Sequence, residues 1–171
     1  QCCAPLSATV PSIAGGTQPI GVLCSQTEVA TNDVNGSAGF AATVAGTPRV
    51  WTYTYNQYGQ ILTADGPRND VPDTTVYTYY DAADPDMGKR GNLATITNAL
   101  GQVTQVTAYD LNGRPLTVID PNGRTIQLNY DPRGRLLNQT TGTETTTYQY
   151  DGVGQLTQVT MPDTSTITYT Y

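Results

Sequence analysis

The sequence predicts an all-β protein, an antiparallel ribbon of repeated β-hairpins with no substantial helix. Three observations lead to this fold class. Apolar and polar residues alternate from Val50 onward, turn-forming residues separate the alternating runs, and one motif recurs at a nearly fixed interval. In the run 125–130, for example, Ile126, Leu128 and Tyr130 fall on one face of a strand. No run has the spacing of an amphipathic helix.

The recurring motif begins with Tyr-Asp and ends at a leucine. YDLNGRPL at 109–116 returns as YDPRGRLL at 130–137 and as YDGVGQL at 150–156. Looser copies begin at Tyr55 and Tyr80, so the chain holds about five repeats, each with two strands and two turns. The positions that define the motif are Tyr55, Gly59, Tyr80, Asp81, Gly91, Tyr109, Asp110, Gly113, Arg114, Leu116, Tyr130, Asp131, Gly134, Arg135, Leu136, Tyr150, Asp151, Gly154, Leu156 and Tyr171.

The turn residues of the motif have a predicted structural role. Asp110, Asp131 and Asp151 are expected to accept backbone N–H bonds in Asx turns. Gly113 and Gly134 are expected to adopt a positive φ, which glycine reaches without steric cost. These carboxylates are therefore assigned to turns and not to a catalytic pair.

One repeat is too small to fold by itself. Burying a tyrosine hides about 150–250 Å², which is worth roughly 4–6 kcal/mol. Ordering the backbone of about 20 residues costs on the order of 20–40 kcal/mol. Neighbouring repeats are therefore expected to pair edge to edge and to stabilise each other.

The composition excludes several classes of function. A net charge of −6 with only 8 lysines and arginines argues against nucleic-acid binding, which needs clustered basic residues. The chain has no long apolar run, so no membrane span is predicted. The absence of histidine removes Ser-His and Cys-His relays. We predict a protein that is not an enzyme and that holds no cofactor or metal.

Residues 1–49 differ in composition from residues 50–171. The first part is rich in alanine, glycine, serine and threonine and lacks tyrosine, and it is predicted to be a cap or linker with irregular strands. Its short β-capable runs lie at 21–24 and 40–44. The second part is predicted to be the hairpin array. Because the chain opens on glutamine without a signal peptide, we expect that it begins after processing or inside a longer polypeptide.

Three cysteines are present, and an odd number cannot all pair within one chain. The alternatives for Cys2, Cys3 and Cys24 are one intrachain disulfide with a spare thiol, three free thiols, or an intermolecular crosslink near the N-terminus.

The C-terminal segment 164–171 forms a predicted strand with neither charge nor proline. Such an edge invites pairing with another strand. Ile167, Tyr169 and Tyr171 are therefore the candidate assembly edge, whose partner would be a further repeat or an identical subunit.

The motif at 109–116, 130–137 and 150–156 resembles the YD-repeat, or RHS-repeat, family of bacterial toxin shell proteins, which are related to teneurin and Tc-toxin shells. The chain departs from the family pattern at three points. Asn56 replaces the aspartate of the first copy, Gln155 replaces the arginine of the last close copy, and a loop separates Asp81 from Gly91. The resemblance covers about residues 50–171 and implies a long β-ribbon that spirals into a hollow shell.

The resemblance also implies a function and a location. Bacterial members enclose a C-terminal toxin, so the expected function is that of a segment of a secreted bacterial shell that encloses or presents a toxin cargo, located outside the cell or on its surface. One alternative is an extracellular fibre or sheath subunit that polymerises through strand edges. A third is a surface adhesion or carbohydrate-binding module. About ten strands at about 4.8 Å spacing are too few to surround a folded cargo, so a shell needs further repeats.

Overall fold

The computed structural model describes residues 9–11, 17–19 and 21–171, and within them it is an all-β structure. The only helical segment of the described part is a short 3-10 turn at Gly39–Ala41. Two short strands, β1 (Thr9–Pro11) and β2 (Thr17–Pro19), pair antiparallel. No helix in the described residues has the length and hydrophobicity to cross a membrane. The predicted fold class is confirmed.

Twelve further strands form an antiparallel sheet in which their order is the order of the chain. They are β3 (Ser25–Thr31), β4 (Val44–Tyr55), β5 (Ile61–Asp65), β6 (Thr75–Tyr79), β7 (Leu93–Thr97), β8 (Val103–Tyr109), β9 (Pro115–Ile119), β10 (Thr125–Tyr130), β11 (Leu136–Thr141), β12 (Glu144–Tyr150), β13 (Leu156–Thr160) and β14 (Thr166–Thr168).

The chain divides into two compact units. One contains the described residues up to Tyr77 together with Asn98–Gly101, and the other contains Thr78–Thr97 and Gln102–Tyr171. The boundary predicted between residues 49 and 50 lies within β4, and the assignment of residues 1–49 as a cap or linker stays a prediction.

In the first unit, β4 shows the alternation expected of a half-buried strand. Trp51, Tyr53 and Tyr55 are half-buried, whereas Thr52 and Thr54 between them are exposed. β3 pairs with one side of β4 and β5 pairs with the other. Aromatic and β-branched residues favour this arrangement because they pack well on a pleated surface.

The strands near the N-terminus lie later than the β-capable runs 21–24 and 40–44. β3 starts after the first run, and Gly39–Ala41 forms the 3-10 turn where the second was expected. For the second run, the Asp33 carboxylate explains the difference, because it accepts backbone N–H bonds from Ser37 at 3.1 Å and Ala38 at 2.9 Å. These bonds close the chain into a turn and compete with an extended strand.

In the second unit, the alternation of half-buried and exposed residues is clearest in β10. In β10, Ile126 and Leu128 are half-buried, whereas Gln127 is exposed. On the polar face, Asn129 donates to Asn138 across β10 and β11 at 2.7 Å. Within the described residues the only buried apolar side chains are Val106 and Val159, at 8% and 7% exposure. The unit is therefore a thin sheet without a thick apolar core.

The pairing register shifts at the tyrosine of each close copy of the motif. Tyr130 lies opposite Leu136, and Tyr150 lies opposite Leu156, each after a β-bulge. Tyr109 lies opposite Pro115, next to Leu116, with the same kind of shift. A bulge increases the local twist of a strand, so it changes the direction of the tyrosine side chain relative to the other residues of the strand.

Candidate functional site

The turns that follow Tyr109, Tyr130 and Tyr150 have the same geometry and lie at the same end of successive hairpins. In the second turn, the backbone N–H of Asp131 donates to the carbonyl of Arg135, and Gly134 N–H donates to the carbonyl of Asp131, both at 2.9 Å. The Asp131 carboxylate accepts the Arg135 N–H at 2.9 Å. One aspartate thus holds the turn through its backbone and its side chain.

The other two close turns use the same contacts. Asp110 Oδ1 accepts the backbone N–H groups of Asn112 and Arg114, each at 2.9 Å. Asp151 Oδ1 accepts those of Val153 and Gln155, at 3.0 Å and 2.8 Å. The glycines of the three turns, Gly113, Gly134 and Gly154, have φ values of 76°, 89° and 103°.

In two of the turns an arginine pairs with the aspartate of its own turn. Arg114 Nε lies 2.6 Å from Asp110 Oδ2, and Arg135 Nε lies 2.6 Å from Asp131 Oδ2. These contacts keep the pKa of each carboxyl below its ordinary value. The largest cause is the backbone N–H that the arginine donates, and the guanidinium adds to it. Burial of the carboxyl acts in the opposite direction.

The same arginines also reach the next repeat. Arg114 Nη1 donates to the backbone carbonyl of Asp131 at 3.3 Å, and its guanidinium carbon lies 5.2 Å from the centre of the Tyr130 ring. Arg135 Nη1 donates to the carbonyl of Asp151 at 3.4 Å, with its guanidinium carbon over the Tyr150 ring. We call Arg114 and Arg135, with the rings and carbonyls that they reach in the following turn, the arginine ladder.

The turn glycines leave room for the ladder. A Cβ on Gly134 would stand 2.8 Å from Arg114 Nη1, and a Cβ on Gly154 would stand 3.5 Å from Arg135 Nη1. Gly134 is therefore favoured by its positive φ, and a side chain at this position would displace the end of the preceding arginine.

The loop between Tyr80 and Leu93 covers the turn that begins at Tyr109, which is the turn that contains the first arginine of the ladder. A Cβ on Gly88 would stand 2.6 Å from the carbonyl oxygen of Tyr109, so this glycine packs directly on the turn backbone. Asn92 Nδ2 donates to the Gly88 carbonyl at 2.7 Å, and the Asn92 side chain lies beside Gly113.

The remaining predicted residues of this loop hold its own shape. Asp81 Oδ1 accepts the Ala83 N–H at 2.7 Å, and Gly91 has a φ of 67°. Lys89 Nζ lies 5.1 Å from the centre of the Tyr80 ring. The loop therefore supplies a cation over a tyrosine without the arginine of the motif.

Most of the motif tyrosines donate a hydrogen bond from their hydroxyl to a backbone carbonyl in another part of the chain. Tyr109 donates to Leu93 at 2.7 Å and Tyr150 donates to Leu136 at 3.0 Å. Tyr80 and Tyr55 make equivalent bonds, to the carbonyls of Val106 and Leu23. Burial raises the pKa of the Tyr109 phenol, with a smaller contribution from Tyr80.

The loosest copy builds its turn from amides. Asn56 Oδ1 accepts the backbone N–H groups of Tyr58 at 2.9 Å and Gln60 at 3.0 Å, and Asn56 Nδ2 donates to Gln60 Oε1 at 2.7 Å. Gly59 has a φ of 79°. The turn thus keeps its shape without the Asp-Arg ion pair.

The candidate assembly edge lies on β14, the last strand of the sheet, and on the residues that follow it. Tyr169 N–H donates to the carbonyl of Thr157, and Ile167 lies opposite Val159. The side chains of Ile167, Tyr169 and Tyr171 are 44%, 41% and 73% exposed. Their role in assembly stays a prediction.

Cys24 is disulfide-bonded. This bond shows that the alternative of three free thiols is wrong. Cys2 and Cys3 lie outside the described residues, so the intrachain disulfide with a spare thiol and the intermolecular crosslink both stay predictions. No group of three or more metal-ligating side chains occurs in the part of the chain that the structure describes.

The ladder is the feature that sequence reasoning missed. The pattern Asp-x-x-Gly-Arg also occurs at 120–124, and there Asp120 Oδ1 accepts the Arg124 N–H at 2.8 Å. The exposed Arg124 side chain nevertheless makes no ion pair among the described residues. The residue before the aspartate distinguishes the two kinds of turn. It is a tyrosine in the ladder turn, where Tyr109 precedes Asp110, and an isoleucine in the other, where Ile119 precedes Asp120.

Comparison with known proteins identifies the repeat. The family model described as RHS Repeat matches residues 89–125, 109–143 and 130–166. These three matches overlap and start within or after the loop that precedes the ladder. No curated protein sequence matches the chain.

Solved structures share the fold at low sequence identity. A crystal structure of TcdB2-TccC3-Cdc42 matches with a TM-score of 0.61 and 17% identity over 82% of the chain. A crystal structure of TcdB2-TccC3-TEV matches with a TM-score of 0.60 and 17% identity over 94% of the chain. A mutated Tc holotoxin pore from Photorhabdus luminescens matches with a TM-score of 0.59 and 18% identity over 81%. The chain spans only 7%, 8% and 7% of those chains, respectively.

Proposed function

Residues 89–166 belong to the RHS-repeat family, and from this premise we propose that the chain is one segment of a larger bacterial shell that encloses or presents a toxin. At the coarser level it is a structural scaffold of β-repeats. The shell, its cargo and its location outside the cell are the proposal. In it the chain has no catalytic role, and its partners are further repeats and the cargo.

The observation that carries the proposal is the way the repeats are joined. The first two close copies of the motif are each bonded to the following copy along the sheet, through strand pairing and through the arginine ladder. Contacts of this kind extend a surface and do not converge on a pocket. An array of this kind therefore forms a continuous sheet, as the wall of a shell requires.

The thin sheet gives a second argument. With only Val106 and Val159 buried among the apolar residues of the described part, much apolar surface stays half-exposed. A domain of ordinary size buries far more of its apolar surface. Half-exposed side chains such as Ile126 and Leu128 are therefore expected to be covered by further parts of the same assembly.

The polar groups of the turns support a structural role and not a catalytic one. The carboxylates of Asp110, Asp131 and Asp151 are all used as acceptors for backbone N–H groups. A general acid or base needs a carboxyl that is free to exchange a proton with a substrate. In these turns Oδ1 of each carboxyl is instead engaged by backbone N–H groups of its own repeat, and Oδ2 of Asp110 and of Asp131 accepts the Nε–H of an arginine.

The native protein, purified from its source, tests the proposal by size and shape. We expect a parent polypeptide several times longer than the 171 residues of this chain, and closed hollow particles in negative-stain images. Long threads built from subunits no longer than this chain would contradict the shell and support the fibre. Binding to glycan arrays without particles would support the adhesion module.

Protection of the cargo is the sharper readout. Limited proteolysis of the intact particle should leave a segment undigested that becomes sensitive once the particle is opened by mild denaturant. A separately expressed copy of that segment is the matched control, because it should be digested under the same conditions. Equal digestion of the free and the particle-borne segment would contradict enclosure.

A further inference from the structure

We infer that Asn35 is a site of spontaneous deamidation, at which the backbone of the chain itself attacks the side-chain amide and water completes the reaction. The inference concerns the chemistry of the loop between β3 and β4 and goes beyond the proposed function. It rests on hydrogen bonds within short turns, so it holds whether or not further repeats or a cargo adjoin this chain.

Three asparagines of the chain are followed by glycine, namely Asn35, Asn112 and Asn122. Glycine has no side chain to shield its backbone nitrogen, and this nitrogen can attack the Cγ of the preceding asparagine. A bond forms between the two atoms, the bond from Cγ to the amide nitrogen breaks, and ammonia leaves with the proton of the former N–H. Water then opens the resulting succinimide at either carbonyl. The products are aspartate or isoaspartate and one ammonia for each water consumed.

Exposure and backbone conformation do not distinguish the three Asn-Gly steps. All three asparagines are exposed. The glycines have nearly equal positive φ values, which are 75° at Gly36, 76° at Gly113 and 78° at Gly123. A difference in reactivity within the folded protein is therefore expected from the hydrogen bonds around each step.

At two of the steps the attacking nitrogen is held in a closed turn. Gly113 N–H donates to the carbonyl of Asp110 at 3.0 Å, and Gly123 N–H donates to the carbonyl of Asp120 at 2.9 Å. The aspartate side chain closes the turn further, since Asp120 Oδ1 accepts the Arg124 N–H at 2.8 Å. The turn must open before the nitrogen can leave its acceptor and attack, so the reaction is slowed at both steps.

At Asn35 the bonding is reversed. Gly36 N–H makes no hydrogen bond among the described residues, whereas Asn35 Oδ1 accepts the Ser37 N–H at 3.1 Å, a donor that it shares with Asp33. This Asx turn folds the carboxamide toward the peptide that contains the Gly36 nitrogen. The Ser37 N–H also stabilises the negative charge that develops on Oδ1 during the attack. The side chains of the other two asparagines accept no such bond within the described part of the chain.

The loop leaves room for the second reactant and records the product. A Cβ on Gly36 would meet nothing within 4 Å, so water can reach the succinimide. The product carries a carboxylate in place of the carboxamide, close to the carboxylate of Asp33. Each reaction therefore adds one negative charge to the protein, which ion-exchange chromatography resolves.

Incubation of the purified full chain in mildly alkaline buffer, followed by peptide mapping in a mass spectrometer, tests the inference. Replacement of NH2 by OH raises the mass of the peptide, and enzymatic methylation identifies isoaspartate. In the folded protein, Asn35 should deamidate at least about tenfold faster than Asn112 and Asn122, because their turns must first open. In the chain unfolded by guanidinium chloride, the three rates should agree within about threefold, because the protecting bonds are broken.

Two variants serve as controls. D120A removes the carboxylate that closes the turn around Asn122, so deamidation there should accelerate at least about threefold while Asn112 keeps its native rate. N35Q should abolish the mass gain at position 35, because the larger ring that glutamine forms closes much more slowly. Equal rates at the three steps in the folded chain, an undiminished lead of Asn35 in denaturant, or an unchanged rate of Asn122 in D120A would overturn the inference.

Discussion

The guanidinium carbon of Arg135 lies 4.7 Å from the centre of the Tyr150 ring, which belongs to the following repeat. The arginine is aimed there by its own turn, because its Nε is fixed on Asp131. The tyrosine in turn fixes its strand by donating to the carbonyl of Leu136. The ion pair within one turn thus orients the arginine for its contact with the next repeat. The stability of one repeat therefore depends on its neighbour.

Replacing a ladder arginine should destabilise the protein measurably. R135Q removes the contact with the Tyr150 ring and the bond to the carbonyl of Asp151. We expect a loss of about 1–2 kcal/mol in the free energy of unfolding, from one cation–π contact and one backbone hydrogen bond. Urea denaturation followed by circular dichroism measures this loss.

Arg124 provides the matched control for that experiment. R124Q makes the same change of charge after the same Asp-x-x-Gly pattern, at an exposed arginine with no ion pair among the described residues. Its free energy of unfolding should stay within about 0.5 kcal/mol of the native value. Equal losses for R124Q and R135Q would show that the ladder adds nothing beyond the charge.

Gly134 should tolerate a side chain less well than Gly123. Both have a positive φ, of 89° and 78°, so alanine strains the backbone at either position by roughly 1–2 kcal/mol. At Gly123 the new Cβ meets open space, whereas at Gly134 it meets Arg114 Nη1. G134A should therefore cost more than G123A, by about the worth of the displaced arginine contact, in parallel urea titrations.

A double variant shows whether the excess comes from that contact. In the R114Q background the space beside Gly134 is no longer filled by a guanidinium. The difference between G134A and G123A should then shrink to the experimental error. An excess that persists in the R114Q background would mean that backbone strain alone separates the two glycines.

Much of the fold could be predicted because it depends on local features. The alternation at Ile126, Leu128 and Tyr130 reports which face is half-buried, and it does so within one strand. The turn aspartates and glycines could be assigned because the hydrogen bonds of each turn link residues that are close together in the sequence. The same reasoning was weaker before Val44, where the Asp33 carboxylate closes a turn just before the β-capable run 40–44.

The ladder could not be predicted in the same way because it joins residues about one repeat apart. Arg114 and Arg124 follow the same local pattern, and the ladder contact to a tyrosine of the next repeat forms at Arg114. The register shift before Tyr130 re-aims that ring, and the motif does not encode the shift in any single residue. Contacts between repeats depend on strand pairing, which a local motif leaves open.

The protein should lose stability in acid through its turn aspartates. The pKa of Asp131 is lowered in the folded protein, first by the backbone N–H of Arg135 and then by its guanidinium. The unfolded chain therefore binds the proton more tightly. The resulting stabilisation is complete above the ordinary aspartate pKa of about 4 and is lost as the pH falls below it.

Denaturation midpoints at several pH values between 6 and about 2.5 measure this effect. In D131N the amide cannot ionise, so stability should fall less steeply with decreasing pH than in the native protein. D163N is a comparison and not a neutral control, because the pKa of Asp163 is also lowered, first by Ser165, so this variant should reduce the pH slope as well. Identical pH slopes for D131N and the native protein would exclude Asp131 as a source of the acid sensitivity.

The tyrosine hydroxyls should differ in their contribution to stability although the rings occupy equivalent motif positions. Y150F removes the bond to the carbonyl of Leu136, and a loss of about 0.5–1.5 kcal/mol is expected. Y130F should be nearly neutral, because the Tyr130 hydroxyl makes no hydrogen bond among the described residues while its ring keeps the contact with Arg114. Both variants preserve the ring over which an arginine lies, so the comparison isolates the hydroxyl from the cation–π contact. Equal free energies of unfolding for the two variants, measured in the same urea titration, would mean that the hydroxyl bonds do not stabilise the bulged end of each hairpin.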